Sequence, residues 1–258
     1  MIEKVIHERV DILDVQISTL NMTEAVEIVA QWVAEEIKQY VCVATVHGIM
    51  ECQQDPGLME IYNTSGMATA DGMPLVWILR SRGYSDQTRV YGPDLMLEVC
   101  RSSLENGTRH FLYGGPAGVA ELLAQKLASS LDGIQIAGTH SPPFRTLTKT
   151  ENREIVEKIN SAKPDIVWVG LGSPKQERWM SEHIARLNAS VFIGVGAAFD
   201  FLSGTKAQAP LWMQRNGLEW AFRLATEPRR LWKRYLIYNP WFLYKLGTEA
   251  IRGRSLAK

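Results

Sequence analysis

The sequence predicts an α/β fold, a parallel sheet with helices on both faces, followed by a basic, aromatic helical appendage at the C-terminus. Three observations predict it. Short apolar runs alternate with amphipathic stretches through the second half of the chain, the pattern of a parallel sheet buried on both sides. The 258 residues, 46% apolar and 22% charged, can bury a full core without metal or disulfide support. The net charge of zero is unevenly divided: from Thr205 onward eleven Lys and Arg stand against three acids, a net charge of +8, so the preceding 204 residues carry −8. We therefore expect an α/β domain over residues 1–204 and an appendage over residues 205–258.

Each element follows from local pattern. Ala25, Ile28, Val29, Trp32, Val33 and Ile37 are spaced as one helical face, behind an Asn21-Met-Thr-Glu24 start signal. Residues 41–46 read as a buried strand, 56–62 as a helix and 67–70 as a short strand ending at Asp71-Gly72. Helices are expected over 74–82 and 94–104, each with Pro in or before its first turn. The alternation then becomes regular, with strands over 110–113, 134–137, 165–170 and 190–195, and helices over 119–128, 151–160 and 174–187. The result is a Rossmann-like sheet, in which ligands bind beyond the carboxyl ends of the strands.

Composition excludes several classes. Cys42, Cys52 and Cys100 form no C-x-x-C pair, which points to a reducing compartment. The N-terminus has no apolar signal-peptide region, and the longest apolar stretch, 191–199, is about half of what a membrane span needs. A cytoplasmic protein is expected. There is no D-x-D, H-E-x-x-H, G-x-S-x-G or G-x-x-x-x-G-K-[ST], and no Cys/His cluster. No metal site of the usual sequence-local kind and no cofactor are expected.

Chemistry is sought at the strand ends. Tyr113-Gly-Gly-Pro-Ala-Gly118 leads into a helix, so Gly114 and Gly115 would let a phosphate approach the helix N-terminus; a tight strand–helix turn explains them equally well. In Gly170-Leu-Gly-Ser-Pro-Lys-Gln-Glu-Arg178, Ser173 can cap the helix and Gln176 complete a capping box. Lys175, Gln176 and Arg178 crowd a helix N-terminus, where the dipole disfavours cations, and an anionic ligand would resolve that conflict. Asp200, amid the apolar residues of 194–204, needs a partner if buried, through capping or a substrate hydroxyl. Thr45 and His47 stand at the end of the strand over 41–46. Asp71 stands at the end of the next, where Asp-Gly is also an ordinary turn signal. Arg89 precedes Val-Tyr-Gly-Pro-Asp94.

The tail interleaves Trp232, Tyr235, Tyr238, Trp241, Phe242 and Tyr244 with cations, Arg230 and Arg234 being one helical turn apart. This reads as a membrane-interface surface or as a packed helix pair with a solvated basic face. Four or five cations engaged with an anionic leaflet would give roughly 4–6 kcal/mol, enough for reversible docking. A nucleic-acid partner has no motif to support it.

Taken together, Ala44-Thr-Val46, Ala70-Asp-Gly-Met-Pro-Leu-Val-Trp77, Arg89-Val-Tyr-Gly-Pro-Asp94, Phe111-Leu-Tyr-Gly-Gly115, Val169-Gly-Leu-Gly-Ser-Pro-Lys-Gln-Glu177, Gly194-Val-Gly-Ala-Ala-Phe-Asp200, Ala209-Pro-Leu-Trp-Met213, Gly217-Leu-Glu-Trp-Ala-Phe-Arg-Leu224 and Glu227-Pro-Arg-Arg230 resemble the WecG/TagA/CpsF family of bacterial glycosyltransferases, in the same order and over nearly the whole chain. The resemblance implies inverting, metal-independent transfer from a UDP-sugar to a polyprenyl-diphosphate-linked sugar at the inner face of the cytoplasmic membrane. Such reactions make wall, capsule or exopolysaccharide precursors. It implies Asp71 as the general base and Thr45, Arg89 and Gln176 as pocket residues. It also implies a basic appendage for membrane docking, whose arginines, Arg223 and Arg230 among them, close over the donor diphosphate. This chain carries His47 where many members have Asn. Inverting transfer needs one base and positive charge at the departing nucleotide, and here cations would supply the latter. A nucleotide-dependent oxidoreductase, motivated by the glycines of 114–118, and a non-catalytic membrane scaffold are the competing readings. A homo-oligomer is allowed by the sequence but not specified by it.

Overall fold

The computed structural model describes residues 7–251. An antiparallel hairpin opens the chain, β1 (Arg9–Ile12) and β2 (Val15–Ser18), closed by Leu13 and Asp14 at φ 55° and 63°. The two positive φ values match the twist of a two-residue hairpin turn. Both strands are only four residues long and lie outside the expected elements. There follow α1 (Met22–Ala34), β3 (Gln39–Ala44), α2 (Val46–Cys52), α3 (Pro56–Thr64), β4 (Met67–Ala70), α4 (Met73–Ser81), α5 (Gly92–Ser102), β5 (Arg109–Gly114), α6 (Val119–Ser130), β6 (Gln135–His140), α7 (Lys149–Ala162), β7 (Ile166–Gly170), α8 (Lys175–His183), β8 (Val191–Gly194) and α9 (Ala198–Leu202). Four helices complete the described chain: α10 (Leu211–Arg215), α11 (Glu219–Thr226), α12 (Pro228–Leu236) and α13 (Tyr238–Ile251).

The six strands from β3 to β8 pair in parallel in the order β4-β3-β8-β7-β5-β6. Two buried layers flank this α/β, Rossmann-like sheet. On one face Tyr40, Cys42, Phe111, Val167 and Phe192 pack with α2, α3, α7, α8 and the hairpin. On the other Val41, Leu112, Trp168 and Ile193 pack with α1, α5, α6 and α9. Successive strand residues thus serve opposite layers, and so the strands read as continuous apolar runs. Helix α1 starts where Asn21 and Glu24 bond reciprocally, at 3.1 and 2.8 Å.

Two local expectations are corrected. Thr45 does not end a strand: its hydroxyl accepts from the Gly48 N–H at 3.3 Å and caps α2, so His47 lies in a first helical turn. Ser173 does not cap α8, and Gln176 closes no capping box. The Ser173–Pro174 peptide is cis and Pro174 itself occupies the cap without a side-chain bond.

Helices α11, α12 and α13 pack in succession, and α13 returns to α2. Phe242 of α13 is fully buried in the first layer. Around it Tyr238 donates to Glu51 at 2.8 Å and Lys245 to Gln53 at 2.8 Å. Arg252, Arg254 and Lys258, counted in the basic tail, lie outside the described residues.

Candidate active site

Strand pairing assembles the site. β3 and β4 run side by side with Ala44 opposite Ala70, so the residues that follow them, Thr45 and Asp71, emerge together at the carboxyl edge. The Asp71 N–H donates to Ala44 O at 2.9 Å, and the Val90 N–H to Ala70 O at 3.0 Å, which brings Arg89 alongside Asp71. Arg89 then grips Asp71: its Nη2 and Nε reach Oδ1 at 2.9 and 3.2 Å, and Nε also donates to the Asp71 carbonyl. The same Nη2 lies 2.8 Å from Oε2 of Glu219.

Above this edge α11 and α12 roof a cleft. Its floor includes Thr45, His47, Asp71 and Arg89, and its roof Glu219, Trp220, Arg223, Arg234 and Tyr235. Arg89 is committed to two carboxylates. Arg223 stands 3.8 Å from Glu219, its Nε buried without a partner. Arg234 donates to Thr45 Oγ1 at 3.2 Å, and among the described residues it forms no ion pair with a carboxylate. Two guanidinium groups therefore face the cleft with positive charge that an anion could neutralise.

Burial raises the Asp71 carboxyl above the ordinary aspartate value; Arg89 opposes the rise and Glu219 adds to it. Asp71 is thus a carboxylate with increased proton affinity, exposed to a cavity. His47 is pushed the other way, down to about 3, by burial and then by Arg234. It is a neutral ring 3.6 Å from Glu51 and 5.3 Å from the Tyr238 ring.

The other expected site residues do not line this cleft. Gly114 and Gly115 serve the strand–helix turn: at φ 135° and 72°, a Cβ on Gly114 would stand 2.6 Å from the Gly170 carbonyl and one on Gly115 3.1 Å from Val119. Lys175 lies 4.6 Å over the Phe144 ring, and Arg178 pairs with Asp55. The cations at that helix start therefore have partners within the protein. Gln176 is buried against Gly194 and donates to Glu177 at 3.0 Å. Asp200 pairs with Lys206 at 2.9 Å, and Lys206 also reaches Glu227. Arg230 is half-exposed and bonded to Glu227 at 2.6 Å.

Glu219, Arg234 and Tyr235 were absent from the expected site set. Only one signal hinted at Glu219: it is one of three acids in the cationic tail, four residues before Arg223. Among the described residues no three His, Cys, Asp or Glu side chains gather as a metal-binding group, and no helix is long and apolar enough to cross a membrane.

The chain is similar to known proteins over most of its length. The glycosyl transferase WecG/TagA/CpsF family matches residues 10–256. An N-acetylglucosaminyldiphosphoundecaprenol N-acetyl-beta-D-mannosaminyltransferase of Bacillus subtilis (strain 168) is 33% identical over 197 residues, 76% of this chain and 74% of its own length. The protein of the same name from Bacillus spizizenii is 30% identical over 72% of this chain and 70% of its own. That of Staphylococcus aureus (strain NCTC 8325) is 26% identical but spans 93% of this chain and 92% of its own. A sheet edge that carries Thr45, Asp71 and Arg89 under a cationic roof, and a family match that spans that whole arrangement, lead to one assignment: the chain belongs to the WecG/TagA/CpsF family of glycosyl transferases.

Proposed function

We infer that this protein is an inverting transferase that moves an N-acetylmannosamine-type residue from a UDP-sugar to a polyprenyl-diphosphate-linked sugar, in the synthesis of a cell-wall or exopolysaccharide precursor. The similar Bacillus and Staphylococcus proteins are named for an N-acetylmannosaminyl transfer to an N-acetylglucosaminyl diphosphoundecaprenol. One observation carries the chemical part of the reading. Asp71, a carboxylate of raised proton affinity, shares a cleft with Arg223 and Arg234, whose charges no carboxylate there fully compensates.

In this mechanism the acceptor hydroxyl attacks the anomeric carbon from the face opposite the nucleotide. Asp71 takes the hydroxyl proton as the new C–O bond forms. The old C–O bond breaks with its electron pair on the β-phosphate, and UDP leaves as an anion toward Arg223 and Arg234. Attack opposite the leaving group inverts the centre. Asp71 returns its proton to solvent after product release. Fixed guanidinium groups then supply the charge that a divalent ion supplies in other transferases, so the reaction is proposed to run without one. The neutral His47 borders the cleft and is proposed to shape the sugar subsite rather than to exchange protons.

The acceptor is a lipid, and the tail offers a surface for its membrane. Trp212, Trp232, Leu236, Leu243 and Tyr244 are exposed on α10, α12 and α13 beside Lys233 and Arg229. We propose that residues 205–258 form the appendage that docks on the inner leaflet through such exposed apolar, aromatic and basic side chains and closes the cleft.

The test is incubation of the full-length protein with UDP-N-acetylmannosamine and an undecaprenyl-diphosphate-linked N-acetylglucosamine, with and without EDTA. The expected result is an acceptor heavier by one N-acetylhexosamine residue by mass spectrometry, in equal yield under both conditions. No mass gain with any UDP-sugar would refute the reading, and loss of activity in EDTA would refute its metal-free part.

A further inference from the structure

One nitrogen of the cleft's floor bridges Asp71 to α11 of the roof. Nη2 of Arg89 sits 2.9 Å from Oδ1 of Asp71 and 2.8 Å from Oε2 of Glu219, and Glu219 comes from α11, 130 positions beyond Arg89. Glu219 is itself nearly fully buried, its Oε1 accepting from the Tyr91 hydroxyl at 3.3 Å. Tyr91 is in turn held from the other side by Gln208 at 3.2 Å and lies under the Arg89 guanidinium at 3.9 Å. A buried carboxylate is costly unless it is paired and hydrogen-bonded, and Glu219 is both, through Arg89 and Tyr91.

We propose that Glu219 acts on Asp71 through Arg89: it is a positioning residue, carried by the C-terminal helices, that keeps Arg89 divided between two carboxylates. The inference rests on the reading of Asp71 as the base. An Arg bonded to Asp71 alone would hold it firmly as a carboxylate and make it a poor proton acceptor. With Glu219 in place, part of the Arg89 charge is spent elsewhere and a second negative charge faces Asp71, so Asp71 binds a proton more readily. The charged and titratable groups around Asp71 are Arg89 and Tyr91 from the segment before α5, Asp94 in α5, Glu219 and Arg223 of α11, Arg234 and Tyr235 of α12, and His47 of α2. His47 is neutral, Asp94 acts on Arg89 through charge, and the acid that bonds Arg89 together with Asp71 is Glu219.

The experiment uses full-length protein labelled with 13C-aspartate. The Asp71 carboxyl resonance, assigned by its loss in Asp71→Asn, is titrated in the wild type, Glu219→Gln, Glu219→Asp and Tyr91→Phe. The pH profile of kcat is measured for the same proteins with UDP-N-acetylmannosamine and the lipid-linked acceptor. Glu219→Gln should lower the Asp71 midpoint by about one pH unit, a roughly tenfold loss of proton affinity. The acid limb of kcat should move with it. Glu219→Asp, which keeps the charge, should restore much of the shift. Tyr91→Phe, which removes a bond to Glu219 but keeps the ring under Arg89, should leave the midpoint in place. An Asp71 midpoint unchanged in Glu219→Gln overturns the proposal, whatever happens to the rate. A midpoint that moves while the acid limb stays fixed supports the coupling and overturns Asp71 as the base.

Discussion

Arg234, on α12, donates a hydrogen bond from Nη2 to the Oγ1 of Thr45 at 3.2 Å, across 189 positions of sequence. Thr45 is the cap of α2, so the helix that begins the cleft floor and the helix that roofs it meet at this contact. Arg230, one turn earlier on α12, bonds Glu227 and is half-exposed. The two arginines should therefore behave differently. Arg234→Ala is expected to lower kcat/KM for the UDP-sugar by about 10- to 100-fold, the worth of a hydrogen bond or two to a charged phosphate. Arg230→Ala should stay within about threefold. Steady-state kinetics on both variants checks the contrast, and equal losses would contradict it.

His47 should make the fold sensitive to acid. Its pKa in the folded protein is pushed down to about 3 from an ordinary 6.5, so the unfolded chain binds a proton that the folded chain refuses. The stability this neutral ring contributes is complete above about pH 6.5 and is lost as pH falls from there toward 3, by about 1.4 kcal/mol per pH unit inside the window. His110, held between Ser103 and Trp168 and lowered to about 4, adds a second loss of the same sign. His47→Asn should therefore shrink the drop in melting temperature between pH 7 and pH 5 without abolishing it. An unchanged drop would show that the ring titrates normally.

Gly114→Ala should destabilise the protein without acting on the ligand. The new Cβ would meet the Gly170 backbone at 2.6 Å, and φ is 135°. Backbone cannot yield as a side-chain end can, so a loss of about 2–4 kcal/mol is expected from overpacking and the forbidden conformation together. Chemical denaturation of the variant should show this, with UDP affinity of the remaining folded fraction unchanged.

Trp232 and Leu236 are one turn apart on α12, 44% and 58% exposed. If they enter a lipid interface, each contributes on the order of 1.5–3 kcal/mol when fully buried. The double variant Trp232→Ala, Leu236→Ala should then bind anionic vesicles at least about tenfold more weakly in co-sedimentation, while activity toward a short water-soluble acceptor is retained. Undiminished vesicle binding would remove this face from the docking surface.

Much of this architecture was readable from local pattern, because strands buried on both faces must be continuously apolar and their covering helices amphipathic. Thr45, Asp71 and Arg89 were readable for the same reason: each lies just beyond or beside a strand's carboxyl end. The start of α2 was hidden because Val46, just past Thr45, extends the apolar run of β3, and the seven-residue helix is too short to show a helical period of its own. Lys175 was read from its position at a helix start, and the Phe144 ring that lies 4.6 Å from its ammonium, 31 residues earlier in the chain, left no local signal. Glu219 and Arg234 could not be found locally. Their place in the cleft depends on α13 packing back on α2, a long-range closure that no window of sequence contains.

Whether Asp71 takes the acceptor proton is decided by single-turnover kinetics of Asp71→Asn with UDP-N-acetylmannosamine and the lipid-linked acceptor, alongside calorimetric titration with UDP. The amide keeps the shape of the side chain and removes its basicity. The predicted result is a rate lower by about 10²- to 10⁴-fold with UDP affinity within a few-fold of the wild type. A rate near that of the wild type would contradict the claim.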